Sequence, residues 1–278
     1  MTADAPDRYG VIGYPVLHSH SPVIHRLFAL QTGQDMQYEL LQVPPDKLTS
    51  AVRQFRRTGG KGLNVTVPHK AAVVALVDDL SERAESAGAV NTLTFGPDAV
   101  HGDNTDGVGL LRDLQNNLGL QLAGASVLVL GAGGATRGIV RPLLESGLAS
   151  LTIANRTVSR AEELRLRFAR WGDVSACSFE DIDLSEPYDL VVNATSAGLK
   201  GETAPYPADA IGPSTCCYDL TYGLQPTPFC QWGAANGASR SVMGWGMLVE
   251  QAAESFYIWR GVRPDTQPVL KQLSVNAS

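Results

Sequence analysis

The sequence predicts an α/β protein of two domains. Apolar strands alternate with amphipathic helical stretches along nearly the whole chain, the pattern of parallel sheets joined by crossover helices. The chain has 278 residues, the length of about two ordinary domains and enough for two cores. The run Ser126-Val-Leu-Val-Leu-Gly131-Ala-Gly-Gly-Ala135-Thr-Arg137 is an apolar strand turning through glycines into a helix, which marks a Rossmann-like βαβ unit. These observations give an N-terminal open α/β domain over 1–106 with 247–278, a Rossmann-like domain over 107–246, and a cleft between them.

Each element follows from local pattern. Tyr9–Gly13 is a short strand ending in glycine, and Pro22–Gln31 is a helix with Ile24, Leu27, Phe28 and Leu30 at helical spacing. Ser21 suits its N-cap and Pro22 its first position. Met36–Val43 alternates as a strand, Asp46–Arg57 is helical, Gly62–Val67 is a strand and Lys70–Leu80 is helical again. Leu93–Val100 reads as a short strand and Val108–Leu118 as a helix leading to the strand at Ser126. Next come the strand Leu151–Ala154, helix Val158–Trp171, strands Leu190–Asn193 and Cys216–Leu220, and a closing helix Met247–Arg260. Lys271–Ser278 shows no periodicity and reads as a frayed tail.

The glycine turn is a phosphate cradle. Gly131 permits the sharp turn, Gly133 and Gly134 let backbone approach a pyrophosphate, and the helix opening near Ala135 points free N–H groups at the anion. Thr136 stands where the motif's third glycine is expected. In NAD-binding versions an acidic residue about 20 residues on receives the ribose hydroxyls, whereas arginine suits a 2′-phosphate. Here no acidic residue lies between Glu145 and Glu162, while Asn155-Arg156-Thr157 ends the second strand and Arg160 follows one helical turn later. Guanidinium groups grip phosphate bidentately, so the cofactor expected is NADP.

Composition excludes several classes. A net charge of −6 gives no general attraction to nucleic acid or anionic membranes. No apolar run approaches the ~20 residues of a bilayer span, and Met1–Asp7 lacks the basic-then-apolar order of a signal peptide. The four cysteines have no CxxC spacing and read as buried, reduced thiols. The five histidines are too scattered for a zinc site, so no metal is expected and the cytoplasm is the default.

In the first domain, polar clusters fall where strands end. His18-Ser19-His20-Ser21 follows the first strand, Asn64-Val-Thr66-Val-Pro-His-Lys70 straddles the end of the third, and Asn91-Thr92 precedes the fourth. Asp103-Asn104-Thr105-Asp106 opens the next helix, where Asp106 also suits an N-cap. Ligands of open α/β sheets bind at carboxyl ends of strands; hydroxyls, amides, a lysine and an aspartate there suit a small polyhydroxylated molecule.

From Tyr9 to Gly261 the chain resembles the shikimate dehydrogenases. The resemblance rests on His18-Ser-His-Ser-Pro22, Asn64-Val-Thr-Val-Pro-His-Lys70, Gly88-Ala-Val-Asn91-Thr92, Asn104-Thr-Asp106, the glycine turn, Asn155-Arg-Thr157, Asn193-Ala-Thr-Ser196 and Gly244–Gln251. It implies reversible reduction of 3-dehydroshikimate to shikimate with NADPH, on the route to aromatic amino acids. It also implies Lys70 as acid/base with Asp106 as partner; Ser19, Ser21 and Tyr222 at the substrate carboxylate; and Asn64, Thr66, Asn91 and Gln251 around the ring. Contacts to cofactor are implied for Gly131, Ala132, Gly133, Gly134, Ala135, Asn155, Arg156, Thr157, Arg160, Thr195, Leu220, Gly244 and Glu82. Arg26 replaces the asparagine usual after the motif histidine, and Leu220 holds a position often taken by methionine. A quinate/shikimate dehydrogenase is the alternative, with a broader substrate or cofactor range. The only partners expected are small molecules, with the chain a monomer or homodimer.

Overall fold

The computed structural model describes residues 5–195 and 206–275. The chain divides into two compact units, residues 1–109 with 248–271 and residues 110–247 with 272–278.

In the first unit, β1 (Asp7–Gly13), α1 (Ser21–Thr32), β2 (Met36–Gln42), α2 (Leu48–Arg57) and β3 (Gly60–Val65) form the parallel start of a sheet, followed by β4 (Asp79–Leu80), α3 (Glu82–Ala87), β5 (Thr92–Phe95) and β6 (Val100–Asp103). Its strand order is β2-β1-β3-β5-β6-β4. Ile24 and Phe28 on α1 are fully buried, as are Ile12, Leu63 and Leu93 from the strands. Burying each such side chain contributes about 1.5–3 kcal/mol.

In the second unit, α4 (Asp106–Arg112, beginning in the first unit) leads to β7 (Ser126–Leu130), α5 (Gly134–Glu145), β8 (Ser150–Ala154), α6 (Val158–Phe168) and β9 (Val174–Cys177). Then come β10 (Leu190–Asn193), β11 (Cys216–Asp219), α7 (Pro228–Ala235) and β12 (Arg240–Met243). All six strands are parallel, in the order β12-β11-β10-β7-β8-β9. Central strands buried on both faces explain their unbroken apolar runs. The winding reverses between β7 and β10, the switch point at which such sheets bind nucleotides. Cys216, Cys217 and Cys230 are buried and free, and burial pushes the Cys217 thiol up to about 12, so it is inert. The chain returns through α8 (Trp245–Arg260) and ends in α9 (Gln267–Val275). No helix among the described residues is long and apolar enough to cross a membrane.

Several sequence expectations give way to pairing. Lys70–Leu80 is not an α-helix: a 3₁₀ turn at Ala72–Leu76 yields to β4, because Asp78 N–H donates to Val100 O and Ser81 N–H to Gly102 O. Leu93–Val100 is not one strand but the two arms of an antiparallel hairpin, closed where Gly96 N–H donates to Ala99 O at 2.9 Å. Ser21 is not an N-cap; it is the first helical residue, after an N-cap His20 that makes no side-chain cap. Up to Val275 the supposed tail is helix, with Val269 and Leu273 buried one turn apart; 276–278 lie outside the described residues. The elements β9, α7 and β12, unexpected from the sequence, complete the second unit.

One buried ion network braces the first unit. Asp103 accepts a bidentate grip from Arg83 (Nε to Oδ1 2.6 Å, Nη2 to Oδ2 2.9 Å), together with Ser81 Oγ at 2.5 Å and Asn104 N–H at 2.6 Å. Arg83 also meets Glu254 of α8 at 3.2 Å, and Arg263 holds the other oxygen of Glu254 at 2.7 Å. Burial alone would raise the Asp103 carboxyl, but the Arg83 bond, its charge, Ser81 and Asn104 pull it below the usual value. A depressed folded pKa stabilises above the unfolded carboxyl pKa, and that contribution is lost as pH falls through the folded value. We therefore expect Asp103→Asn to cost about 3–5 kcal/mol at pH 7, the range for breaking a buried pair, and, in urea unfolding repeated from pH 7 to pH 3, the deficit to hold down to about pH 5 and to shrink below it. A deficit independent of pH would contradict this assignment.

Candidate active site

Three of the four polar clusters of the first unit converge on one carboxylate. The turn after β3 is fixed by Thr66 N–H to Ile12 O and His69 N–H to Thr66 O, both 2.9 Å, and by His69 Nε2 against Val43 O at 2.7 Å. Thr66 packs so close to β1 that a Cβ on Gly13 would lie 2.4 Å from its methyl group; only glycine fits there. The turn delivers Lys70, whose Nζ donates to Asp106 Oδ2 at 2.6 Å. Their side chains are 13% and 5% exposed, so the pair is largely out of water. An ammonium has three donors, and this bond engages one.

Asn91, just before β5, orients the other half of the pair. Its Nδ2 donates to Asp106 Oδ1 and to Thr105 Oγ1, each at 2.9 Å, while its Oδ1 accepts from Thr105 N–H and Thr92 Oγ1, each at 2.8 Å. Gln251 of α8 reaches the same amide at 3.4 Å through Oε1. Asn64 joins through Thr92 Oγ1 at 3.3 Å and Ser255 Oγ at 2.9 Å. Lys70, Asp106, Asn91, Asn64 and Gln251 thus share one network. Asp106 serves that network rather than capping α4. Ser19 and Ser21 form a separate pair at the start of α1, Oγ to Oγ 3.1 Å.

The network has supports that no sequence motif revealed. Tyr38 Oη donates to Asn64 Oδ1 at 2.7 Å, which fixes the amide orientation. Tyr38 itself stacks on the buried His25 ring at 4.2 Å. Burial pushes His25 down to about 3, against the opposing pull of Asn64, so the ring stays neutral. The Arg83–Asp103 clamp immediately precedes Asn104, whose Oδ1 accepts from Asp106 N–H at 3.1 Å. Arg83 lies 20 residues from its partner, a separation without periodic signature; the one available hint was Asp103 beside the Asn104–Asp106 cluster.

In the second unit, the expected nucleotide residues gather at the carboxyl ends of its strands. Gly131 has φ +103°, and a Cβ there would stand 3.1 Å from the Ala194 carbonyl and from Thr195 Cγ2. Thr136 is tolerated in place of glycine because its buried hydroxyl donates to Gly131 O at 2.8 Å, closing the turn. Gly133 is the N-cap of α5 and has no side chain to cap it, so with Ala132, Gly134 and Ala135 it leaves first-turn N–H groups for another acceptor. Gly131 N–H donates to Ala154 O at 2.8 Å, tying the turn to the corner where Asn155 Nδ2 donates to Thr157 O at 2.8 Å.

Arg156 and Arg160 are exposed at that corner, and among the described residues neither forms an ion pair; Arg137, by contrast, is held by Glu163 at 2.6 Å. An uncapped helix, a side-chain-free turn and two available cations fit a dinucleotide carrying a 2′-phosphate. Leu220 N–H donates to Asn193 O at 2.9 Å and Gly244 N–H to Thr221 O at 3.1 Å, placing Thr195, Leu220 and Gly244 along the same strand ends. Tyr222 packs on Trp245 at 4.7 Å. Glu82, in contrast, is an exposed residue of α3 in the first unit, and Ser196 lies outside the described residues. No three described His, Cys, Asp or Glu residues are grouped to hold a metal ion.

Known proteins share this arrangement across the chain. Residues 11–93 match the family described as shikimate dehydrogenase substrate binding domain, 113–200 the shikimate / quinate 5-dehydrogenase family and 244–273 the shikimate 5′-dehydrogenase C-terminal domain. A shikimate dehydrogenase (NADP(+)) of Methylococcus capsulatus is 54% identical over 96% of this chain and 96% of its own length. Another, from Alkalilimnicola ehrlichii, is 55% identical over 96% and 98%. The crystal structure of a shikimate 5-dehydrogenase from Thermus thermophilus, in complex with NADP(H) and shikimate, superposes with a TM-score of 0.85 at 33% identity, covering 98% of this chain and 100% of that one. The chain belongs to the shikimate dehydrogenase family.

Proposed function

We propose that the protein is an NADP-dependent oxidoreductase that interconverts 3-dehydroshikimate and shikimate reversibly, on the route to chorismate and the aromatic amino acids. The observation that carries this reading is the buried Lys70–Asp106 pair, with both carboxylate oxygens committed to Lys70 and Asn91. The residue motifs and the relatives' names support the same activity. The first unit takes the substrate and the second the dinucleotide. A net charge of −6 and free thiols suit the cytoplasm.

When bound, NADPH supplies a hydride to the C3 carbonyl carbon. Negative charge then grows on the carbonyl oxygen, where Lys70 stabilises it and donates a proton, leaving a neutral amine that is reprotonated from solvent. In the oxidative direction the neutral amine accepts that proton. Asp106 holds Nζ in place at 2.6 Å. Ser19, Ser21 and Tyr222 receive the substrate carboxylate, and Asn64, Thr66, Asn91 and Gln251 the ring hydroxyls. Toward the cofactor, Arg156 and Arg160 take the 2′-phosphate, the Gly131–Ala135 turn the pyrophosphate, and Asn155, Thr157, Thr195, Leu220 and Gly244 line its remaining length.

Two experiments test this. Lys70→Ala should lower kcat by about 10²–10⁴-fold, the usual worth of general acid–base catalysis, while calorimetric shikimate affinity changes little; comparable turnover would overturn the role of Lys70. At the corner, charge-assisted bonds contribute about 1.5–3 kcal/mol each, so Arg156→Ala should reduce kcat/KM for NADP by about ten- to a hundredfold and leave NAD nearly unchanged. Arg156→Asp should go further in the same direction. Equal losses for both cofactors would place the 2′-phosphate elsewhere.

A further inference from the structure

The sheet reversal between β7 and β10 is flanked by a hydrogen-bonded chain that begins two strands away. Asp219, the last residue of β11, is fully buried. It accepts from Thr227 Oγ1 at 2.6 Å, Thr221 N–H at 2.9 Å and Asn193 Nδ2 at 3.1 Å. The amide of Asn193 passes this on: its Oδ1 accepts from Thr195 Oγ1 at 2.7 Å and from Thr195 N–H at 3.2 Å. Thr195 and the Ala194 carbonyl are the groups against which Gly131 packs. On its other side, Asp219 fixes Thr221, whose carbonyl receives Gly244 N–H at 3.1 Å, and which sits between Leu220 and Tyr222.

Donor and acceptor sense run one way through this chain. Asp219 only accepts, so the Asn193 amide must present its NH₂ to the carboxylate and its oxygen to Thr195; a flipped amide would face an oxygen with an oxygen. Burial raises the Asp219 carboxyl, while the bonds from Thr227, Thr221 and Asn193 draw it down. A carboxylate this deep is costly unless its bonds are all made, and here the made bonds hold two separate loops.

We propose that Asp219 and Asn193 are positioning residues for the nicotinamide half of the dinucleotide, setting Thr195 on one side and the Leu220–Thr221 backbone on the other. This rests on the reading of the second unit as the NADP site. Neither residue touches the reacting atoms. Asn193→Asp would set two carboxylates face to face, which cannot both ionise at such a distance. Adding Asp219→Asn restores an amide–carboxylate bond in the reversed sense, with the new carboxylate at position 193 still accepting from Thr195; it gives up the bond from Thr221 N–H, which shares Oδ1 with Asn193, so the exchange repairs the Thr195 side alone.

The test is calorimetric NADP affinity in wild type, Asn193→Asp, Asp219→Asn and the exchanged double variant, alongside KM for shikimate and thermal midpoints. We expect each single variant to weaken NADP by about tenfold or more, as losing a charged hydrogen bond does, with KM for shikimate within about twofold. The exchange should recover the part of NADP affinity that depends on Thr195, leaving it above Asn193→Asp and below wild type. Asp219→Asn is nearly isosteric and keeps the test open if Asn193→Asp does not fold. Unchanged NADP affinity in the singles, or an exchange that restores the thermal midpoint without restoring NADP affinity, overturns the proposal. A wild type that binds no NADP overturns the cofactor reading itself, and this inference with it.

Discussion

A lysine and an aspartate 2.6 Å apart and almost out of water impose the main constraint on this protein. Desolvating two ions costs several kcal/mol each, and their attraction offsets this only when geometry is tight and the remaining lone pairs are satisfied. Here Asn91 satisfies the second carboxylate oxygen. Three elements must therefore be held in register: the turn after β3, the residue before β5 and the start of α4. Much of the first unit serves that end, including the Arg83–Asp103–Glu254 clamp and the His25–Tyr38 stack under Asn64.

The second unit solves a different problem with fewer charges. Phosphate is met by backbone, so the chemistry there is mostly the absence of side chains: a glycine at φ +103°, an N-cap that cannot cap, and a threonine that closes the turn with its own hydroxyl. Cations enter at the Asn155–Arg160 corner. Rigid polar chains such as Asp219–Asn193–Thr195 then place the loops that a dinucleotide must pass.

The nucleotide unit was the more legible in the sequence, since its signals are local: an apolar strand, glycines within four residues and a cation where acid would repel a phosphate. Lys70 and Asp106 stood out as residue types at strand ends, whereas their pairing was implied only by the family resemblance and had no trace in local pattern. It depends on the β5–β6 hairpin, in which Thr92 faces Asp103 and Asn91 N–H donates to Asp103 O at 3.0 Å. Reading Leu93–Val100 as one strand hid that hairpin. Reading Lys70–Leu80 as helix likewise missed β4, because a run of valines satisfies helical spacing and strand propensity alike. Partners far apart in sequence, such as Asn64 with Tyr38 and Ser255, carry no periodic trace at all.

The most direct test of the account is a double-mutant cycle on kcat with Lys70→Met and Asp106→Asn, measured at saturating shikimate and NADP. If the two side chains act as one buried unit, the double variant should be no slower than about the slower single, because residues that work together are strongly non-additive. Losses that multiply would show that lysine and aspartate act independently, and would contradict the claim that the rest of the first unit is built around their pairing.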